Sequence, residues 1–342
     1  MNTKKELVIL TKDKLFNKCN DLNIKTSKNK TKDQLIDLIL NLKISDEIIE
    51  CKEDKLNKNI DLLKNVRDEG LDKFYTLEKY SKICIDKVFE LYDINKWDLI
   101  IEPSAGNGSF LKQINSDNKI GLDILPEHET IIKQNFFEYN PPKNKKNILV
   151  IGNPPFGKNS SLAMNFFNHS AQWAEVIAFI IPRTFRKVSV QNKLNRKFHL
   201  IYDEEIPNKP CWFTPQMSVK CCFQIWEKKD IERQLIILST THKDWDFLPF
   251  GKIDSKGQPT PPKGADFAMR AYGGKIGEII TDNLEILRPK SWHWIKSNID
   301  KLELINRFKC LDYSNSLNTS RQNSMGRGEL VSLYIDFINS EI

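Results

Sequence analysis

The chain has 342 residues, 40% of them hydrophobic and 28% charged, with a formal net charge of +7 at pH 7. That composition suffices for a sizeable core, and the length predicts one large domain with smaller appendages. No apolar run approaches the ~18 residues of a membrane span, and Met1 to Glu6 begin no apolar secretory leader, so an intracellular protein (cytoplasmic, or a viral factory or host cell if viral) without a membrane partner is expected. The seven cysteines are odd in number and lack metal-ligand spacing, and the five histidines form no cluster, so reduced thiols and no metal are expected.

The charge is uneven. Residues 1–43 carry ten lysines against five acidic residues. Apolar residues at Leu7, Leu10, Leu15, Cys19 and Leu22, and again at Leu35, Ile36, Ile39 and Leu40, predict two amphipathic helices. Between them lies a lysine-rich turn holding Lys28, Lys30 and Lys32, with Thr31 and Asp33 placed to cap the second helix. Such a pair can hold phosphates through charge alone, or be a solvated lysine-rich bundle. We assign residues 1–45 to this module and 46–70, with alternating charges, to a helical linker.

From 71 to 239 apolar runs alternate with helical patterns. A helix is predicted at Lys79–Tyr92, then the strand Leu99–Ile101 running into Glu102-Pro103-Ser104-Ala105-Gly106-Asn107-Gly108, then a helical stretch at Phe110–Ile114. Glycines in that turn let the backbone approach a ligand, and the next strand, Lys119–Asp123, ends in a carboxylate at the spacing used to grip ribose hydroxyls. The run Ile148–Gly152 reads as a buried parallel strand, stopped by Asn153-Pro154-Pro155-Phe156. This stiff loop offers an amide, carbonyls that only accept, and an aromatic face, which suits an exocyclic amine on a flat ring. A helix is expected over Leu162–Trp173, then a strand Val176–Ile181 followed by Arg183, Arg186 and Lys187, which can face phosphates or be surface charges. Further strands are predicted at Phe198–Tyr202, Lys220–Trp226 and Gln234–Ser239. The alternation predicts an α/β fold with a doubly wound, mostly parallel sheet and an antiparallel edge.

Beyond Thr240 the texture changes to Pro/Gly/Lys-rich loop and then Phe267–Gly277, with Arg270, Tyr272 and paired glycines. These features suit either a loop that contacts bases or backbone, or a β-hairpin with a Gly-Gly turn.

In combination, Asn153-Pro154-Pro155-Phe156 and Glu102-Pro103-Ser104-Ala105-Gly106-Asn107-Gly108 resemble the catalytic and cofactor signatures of class I S-adenosylmethionine-dependent amino-methyltransferases, the adenine-N6 nucleic-acid enzymes above all. Two further stretches are similar to the family's pattern. Lys73-Phe74-Tyr75-Thr76 is similar to the stretch that covers the cofactor's methionine part, and can equally be a plain turn before a helix. Asn135-Phe136 stands where the family usually carries Asp-Phe, a departure that leaves an uncharged acceptor for the cofactor's adenine. The helix–basic turn–helix at the N-terminus resembles a SAP-type nucleic-acid module, without the glycine often found in its turn. The resemblance spans roughly residues 71–228. It implies a Rossmann-like fold, S-adenosylmethionine held by Tyr75, Thr76, Glu102, Pro103, Ala105, Gly106, Asn107, Gly108, Asp123, Asn135 and Phe136, and a nucleic acid, DNA ahead of RNA, as partner. Residues 240–342 stand where the amino-methyltransferases that the motifs of this chain resemble carry a target-recognition region, and that resemblance implies the same role here. Asn153 in place of Ser and Phe156 in place of Tyr lean from N4-cytosine and protein-glutamine enzymes towards adenine. RNA adenosine, including cap-adjacent adenosine, and a catalytically silent nucleic-acid-binding scaffold remain alternatives.

Overall fold

The computed structural model describes residues 10–21, 26, 30–36, 39 and 74–341. The chain divides into two compact units, Met1–Asp72 and Lys73–Ile342. Lys28 and the linker expected at 46–70 lie outside the described residues.

In the first unit the helix Lys12–Asp21 and the helical residues 32–36 bury Leu15, Cys19, Leu35, Ile36 and Ile39, the apolar positions the pattern marks. Thr31 starts the second helix as a reciprocal cap. Its Oγ1 accepts from the Gln34 N–H at 3.3 Å, and the Thr31 N–H donates to Gln34 Oε1 at 3.0 Å, satisfying two amides that the helix leaves open. Lys30 and Lys32 flank this cap.

The second unit is built on a seven-stranded sheet. Its strands are β2 (Leu99–Glu102), β3 (Lys119–Asp123), β4 (Ile131–Lys133), β5 (Ile148–Gly152), β6 (Val176–Pro182), β7 (Phe198–Glu205) and β9 (Cys221–Lys228). They run in the order β4-β3-β2-β5-β6-β9-β7. All pair parallel except β9, which is antiparallel to both β6 and β7. The antiparallel strand expected on this side is therefore inserted one place in from the edge. This is the Rossmann-like arrangement anticipated for a class I methyltransferase sheet.

Neighbouring residues along these strands serve opposite faces, as the two-residue period demands. Ile101, Val150, Phe179, Cys222 and Trp226 pack with the helix Ser161–Ser170 on one side. Ile100, Leu149, Ala178, Cys221 and Phe223 pack with the helix Glu78–Leu91 on the other. Cover on both faces explains why β5 and β6 are apolar throughout and buried throughout.

Two expected elements are absent. Phe110–Ile114 forms only a single 3-10 turn, Leu111–Gln113, because the turns at Gly106 and Gly108 use up most of the short link from β2 to β3. Residues 234–239 make no strand. Their backbone is held instead by Asn192, which donates to the Ile236 carbonyl (2.8 Å) and accepts from its N–H (3.2 Å), leaving Ile237 90% exposed.

A two-stranded pair, β1 (Tyr75–Thr76) with β8 (Phe213–Thr214), lies outside the main sheet. Residues 240–341 add a second sheet of β10 (Trp245–Phe247), β11 (Phe267–Arg270), β12 (Ile279–Ile280) and β13 (Trp292–Ser297), in the order β10-β13-β11-β12. The helices Lys301–Cys310 and Arg327–Glu341 pack on it around Trp245, Phe308 and Tyr334. This sheet belongs to the same compact unit as the first: the Lys220 N–H donates to the Ser320 carbonyl at 2.9 Å, and Lys187 pairs with Glu329 at 2.8 Å.

Candidate active site

Parallel pairing of β3, β2 and β5 aligns their carboxyl ends, and the tip of each carries chemistry. Asp123 ends β3 and its Oδ2 accepts from the Gly106 N–H at 2.8 Å, which binds the glycine turn to the carboxylate. Gly106 has φ +51°, and a Cβ there would lie 2.6 Å from the Tyr75 ring. A side chain is thus excluded twice, by backbone conformation and by the tyrosine laid across it. The Tyr75 hydroxyl donates to Glu127 Oε1 at 2.5 Å, and the Glu127 N–H donates to the Gly106 carbonyl at 2.9 Å. Tyr75 is thereby strapped over the glycine turn. Burial, the hydrogen bond to Glu127 and its charge push the phenol well above its ordinary pKa.

Glu102, at the tip of β2, is buried and accepts from the Leu111 N–H at 2.8 Å. Desolvation pushes its carboxyl up to about 8 against the pull of two backbone N–H groups, with Asp123 adding to the rise. In that setting it is neutral at pH 7, and a bound cation would draw it into its charged form. Pro103 and Ala105 are buried beside it and shape the turn.

The loop after β5 is rooted on every side. Gly152 packs so closely that a Cβ would sit 3.3 Å from Glu102 Cγ. Ser104 Oγ donates to the Asn153 carbonyl at 3.3 Å, linking the glycine turn to the proline loop. Asn153 Nδ2 donates to the Phe74 carbonyl at 3.4 Å, which fixes the amide so that its other end is Oδ1. Pro154 is buried, Pro155 is exposed, and half-buried Phe156 touches the cores on both sheet faces. The Phe156 carbonyl accepts from the N–H groups of Leu162 and Ala163, closing the start of the helix Ser161–Ser170.

Among the described residues, seven buried side-chain polar atoms lack a hydrogen-bond partner, and three of them lie here: Thr76 Oγ1, Asn107 Oδ1 and Asn153 Oδ1. Buried polar groups are normally paired, so this concentration marks acceptors and a hydroxyl held ready for a ligand.

Other expected site residues have partners of their own. Asn135 Oδ1 caps a 3-10 turn by accepting from the Phe137 N–H at 3.1 Å, and Nδ2 donates to Glu138. Phe136 is 2% exposed and stacks on Phe166 at 5.1 Å, so its ring packs the core. Arg183 is buried against Glu205 (2.5 Å), Arg186 forks onto Asp203 (2.7 Å), and Lys187 is held by Glu329. These three cations are paired with carboxylates within the fold. Arg270 is likewise paired with Glu278 at 2.7 Å, while Tyr272 is half exposed. Phe267–Ile280 is the antiparallel pairing of β11 with β12, the hairpin alternative. The contacts made by Ser104, Glu127 and the Phe74 carbonyl were not anticipated; their partners lie 21 to 79 residues away, and no local pattern marks the pairing.

No family model matches the chain, and no curated protein matches it. Among solved structures, it is similar to a proposed RNA methyltransferase from Pyrococcus horikoshii at 16% identity and TM-score 0.36, covering 46% of this chain and 89% of that one. It is similar to the 23S rRNA methyltransferase ErmE at 13% identity and TM-score 0.34, covering 47% and 71%. A third is the magnesium protoporphyrin IX methyltransferase of Synechocystis PCC 6803 with bound SAM, at 10% identity and TM-score 0.34, covering 44% and 79%. Likeness of this size carries no weight for activity.

Proposed function

We propose that the protein is an S-adenosylmethionine-dependent methyltransferase acting on the N6 amine of adenine in nucleic acid, with DNA placed ahead of RNA. The observation that carries this reading is Asn153 Oδ1, a buried acceptor with no partner, fixed in a proline loop beside an aromatic face. An amine on a flat ring has two hydrogens to give. Asn153 Oδ1 accepts one and the Pro154 carbonyl the other, while Phe156 stacks on the ring. These bonds draw the amine lone pair out of conjugation and hold it towards an electrophile, so that positioning supplies most of the acceleration. The target base has to leave its stack to reach such a loop.

The turn above β2 fits the cofactor. Glu102 would take its cationic end, Asp123 the ribose hydroxyls, and the orphan acceptor of Asn107 a further donor, with Tyr75 closing over the glycines and Thr76 behind it. When bound, S-adenosylmethionine supplies an electrophilic methyl on a sulfonium. No nucleophilic cysteine is needed: Cys221 and Cys222 are buried in the sheet, and burial raises both thiols.

The test is methyl transfer from labelled cofactor to unmethylated DNA and RNA in parallel, read by nucleoside mass spectrometry. N6-methyladenine is the expected product. Methylcytosine, or label only in protein, would move the assignment to the N4-cytosine or glutamine alternatives, and cofactor binding without transfer to any substrate would favour a silent scaffold. Asn153→Ala should lower transfer by more than about a hundredfold, since it removes an interaction made to the reacting amine, while leaving cofactor affinity intact. Full activity in that variant would refute the mechanism.

A further inference from the structure

In the second sheet a cleft of about 270 Å³ is lined by Phe250, Tyr272, Trp292 and His293, with Lys290 and Arg327 among its walls. Phe250 and Tyr272 are 46% and 50% exposed, large rings left open to solvent. Lys290 and Arg327 are also exposed, and no carboxylate lines the cleft. The nearby Glu329 is held by Lys187 and by the Gly326 N–H. Two ring-bearing walls with two cations and no acid favour a flat neutral ring joined to an anion.

His293 adds an uncharged acceptor. Its Nε2 lies 2.8 Å from the Met325 carbonyl, which can only accept, so Nε2 carries the proton and Nδ1 keeps its lone pair. Burial lowers this imidazole to about 4, so it stays neutral at working pH. Trp292 is backed by Arg270, whose guanidinium lies 4.3 Å from the ring centroid and is itself neutralised by Glu278. The cations among the residues lining the cleft are those of Lys290 and Arg327. Lys290 is lightly tethered to Gln258 at 3.1 Å, and Arg327 stands 5.1 Å from the Phe247 ring centroid.

The cleft belongs to the same end of the large sheet as the proline loop. Ser160, just past that loop, hydrogen-bonds Thr184 beyond the tip of β6 at 2.6 Å. Three residues on, Lys187 donates to the Ser324 carbonyl at 3.3 Å, and the next residue, Met325, lines the cleft. The proline loop and the cleft are thus tied to each other through Thr184, Lys187 and Ser324.

We propose that this cleft holds a nucleotide of single-stranded nucleic acid flanking the target, its base stacked on Tyr272 and Phe250 and its phosphate matched by Lys290 and Arg327. This rests on the adenine-methyltransferase reading for the word "target", but its binding chemistry does not.

The experiment is fluorescence anisotropy of a labelled single-stranded DNA 12-mer and its RNA counterpart with the full chain. It compares the wild type with Tyr272→Ala, Tyr272→Phe, Phe250→Ala and Arg327→Ala, each checked for retained cofactor binding. Tyr272→Ala should weaken binding about tenfold, as loss of one stacked base does, and Tyr272→Phe should restore it. Arg327→Ala should reduce the slope of log K against log salt by about one. The DNA and RNA arms tell which sugar the cleft accepts. Unchanged affinity in Tyr272→Ala and Phe250→Ala, or no binding of either strand by the wild type, would overturn the proposal. The two readings fail separately. Tyr272-dependent binding without methyl transfer leaves the cleft and removes the activity, whereas transfer with cleft-independent binding does the reverse.

Discussion

At the scale of single residues, Glu102 has the sharpest consequence. Its carboxyl is pushed from an ordinary 4.5 up to about 8 by burial, so it is protonated in the free protein at pH 7. A cation bound beside it favours the carboxylate, and binding must then release a proton. Cofactor affinity should therefore rise with pH towards about 8, by up to about tenfold per unit, and level off above. Calorimetry in buffers of different ionisation enthalpy measures the proton directly, and Glu102→Gln should abolish both the release and the pH slope. The same shift acts on folding with a definite sign. A folded pKa above the unfolded one means the native state holds the extra proton between about 4.5 and 8, so this group's contribution to stability declines over that window as pH rises. Neighbouring Gly106 shows why a motif position can be read early: its positive φ and the Tyr75 ring both demand the absence of a side chain.

At the scale of elements, strands with buried faces were legible, and two segments with helix-like or strand-like composition were not. Ile148–Gly152 appears with the boundaries its apolar run marks, because a strand covered on both faces must be apolar throughout. Phe110–Ile114 has helix-compatible residues, yet the chain must enter β3 almost at once, and topology overrides propensity. Residues 234–239 have strand-like composition, but a strand needs a neighbour with open hydrogen bonds, and the Asn192 amide takes that place. In the second sheet the aromatic knot of Trp245, Phe308 and Tyr334 carries the packing, with Phe308 fully buried at 5.2 Å from Trp245 and 5.6 Å from Tyr334. Phe308→Ala should cost about 3–5 kcal/mol from lost transfer energy and a residual cavity. Urea unfolding followed by tryptophan fluorescence would register it as a lower midpoint at unchanged slope.

On the scale of the whole molecule, the division at Asp72 makes a clear prediction. Residues 73–342 hold every residue of the candidate site and have their own cores, so a chain beginning at Lys73 should fold and bind cofactor as the full chain does. A melting curve and a cofactor titration check this, and loss of cofactor binding would show that the first unit is needed for the site. The basic module, with Lys30 and Lys32 on either side of the Thr31 cap, should contribute salt-dependent, sequence-independent affinity that the shortened chain lacks.

The amino-acid sequence by itself determined the α/β class, the glycine turn, Asp123, the proline loop and the amphipathic pair at the N-terminus. Each of these is written in local periodicity or in residues whose backbone preferences are strong. The tertiary structure alone decided how charge is spent. Arg183, Arg186, Lys187 and Arg270 look like a basic surface in one dimension, yet each meets a carboxylate 8 to 142 residues away. It alone left Asn153 Oδ1 without a partner and gathered Phe250, Tyr272 and Arg327 around one cleft. Pairing of charges and the orphaning of a buried acceptor depend on which distant segments meet, and that is set by the fold.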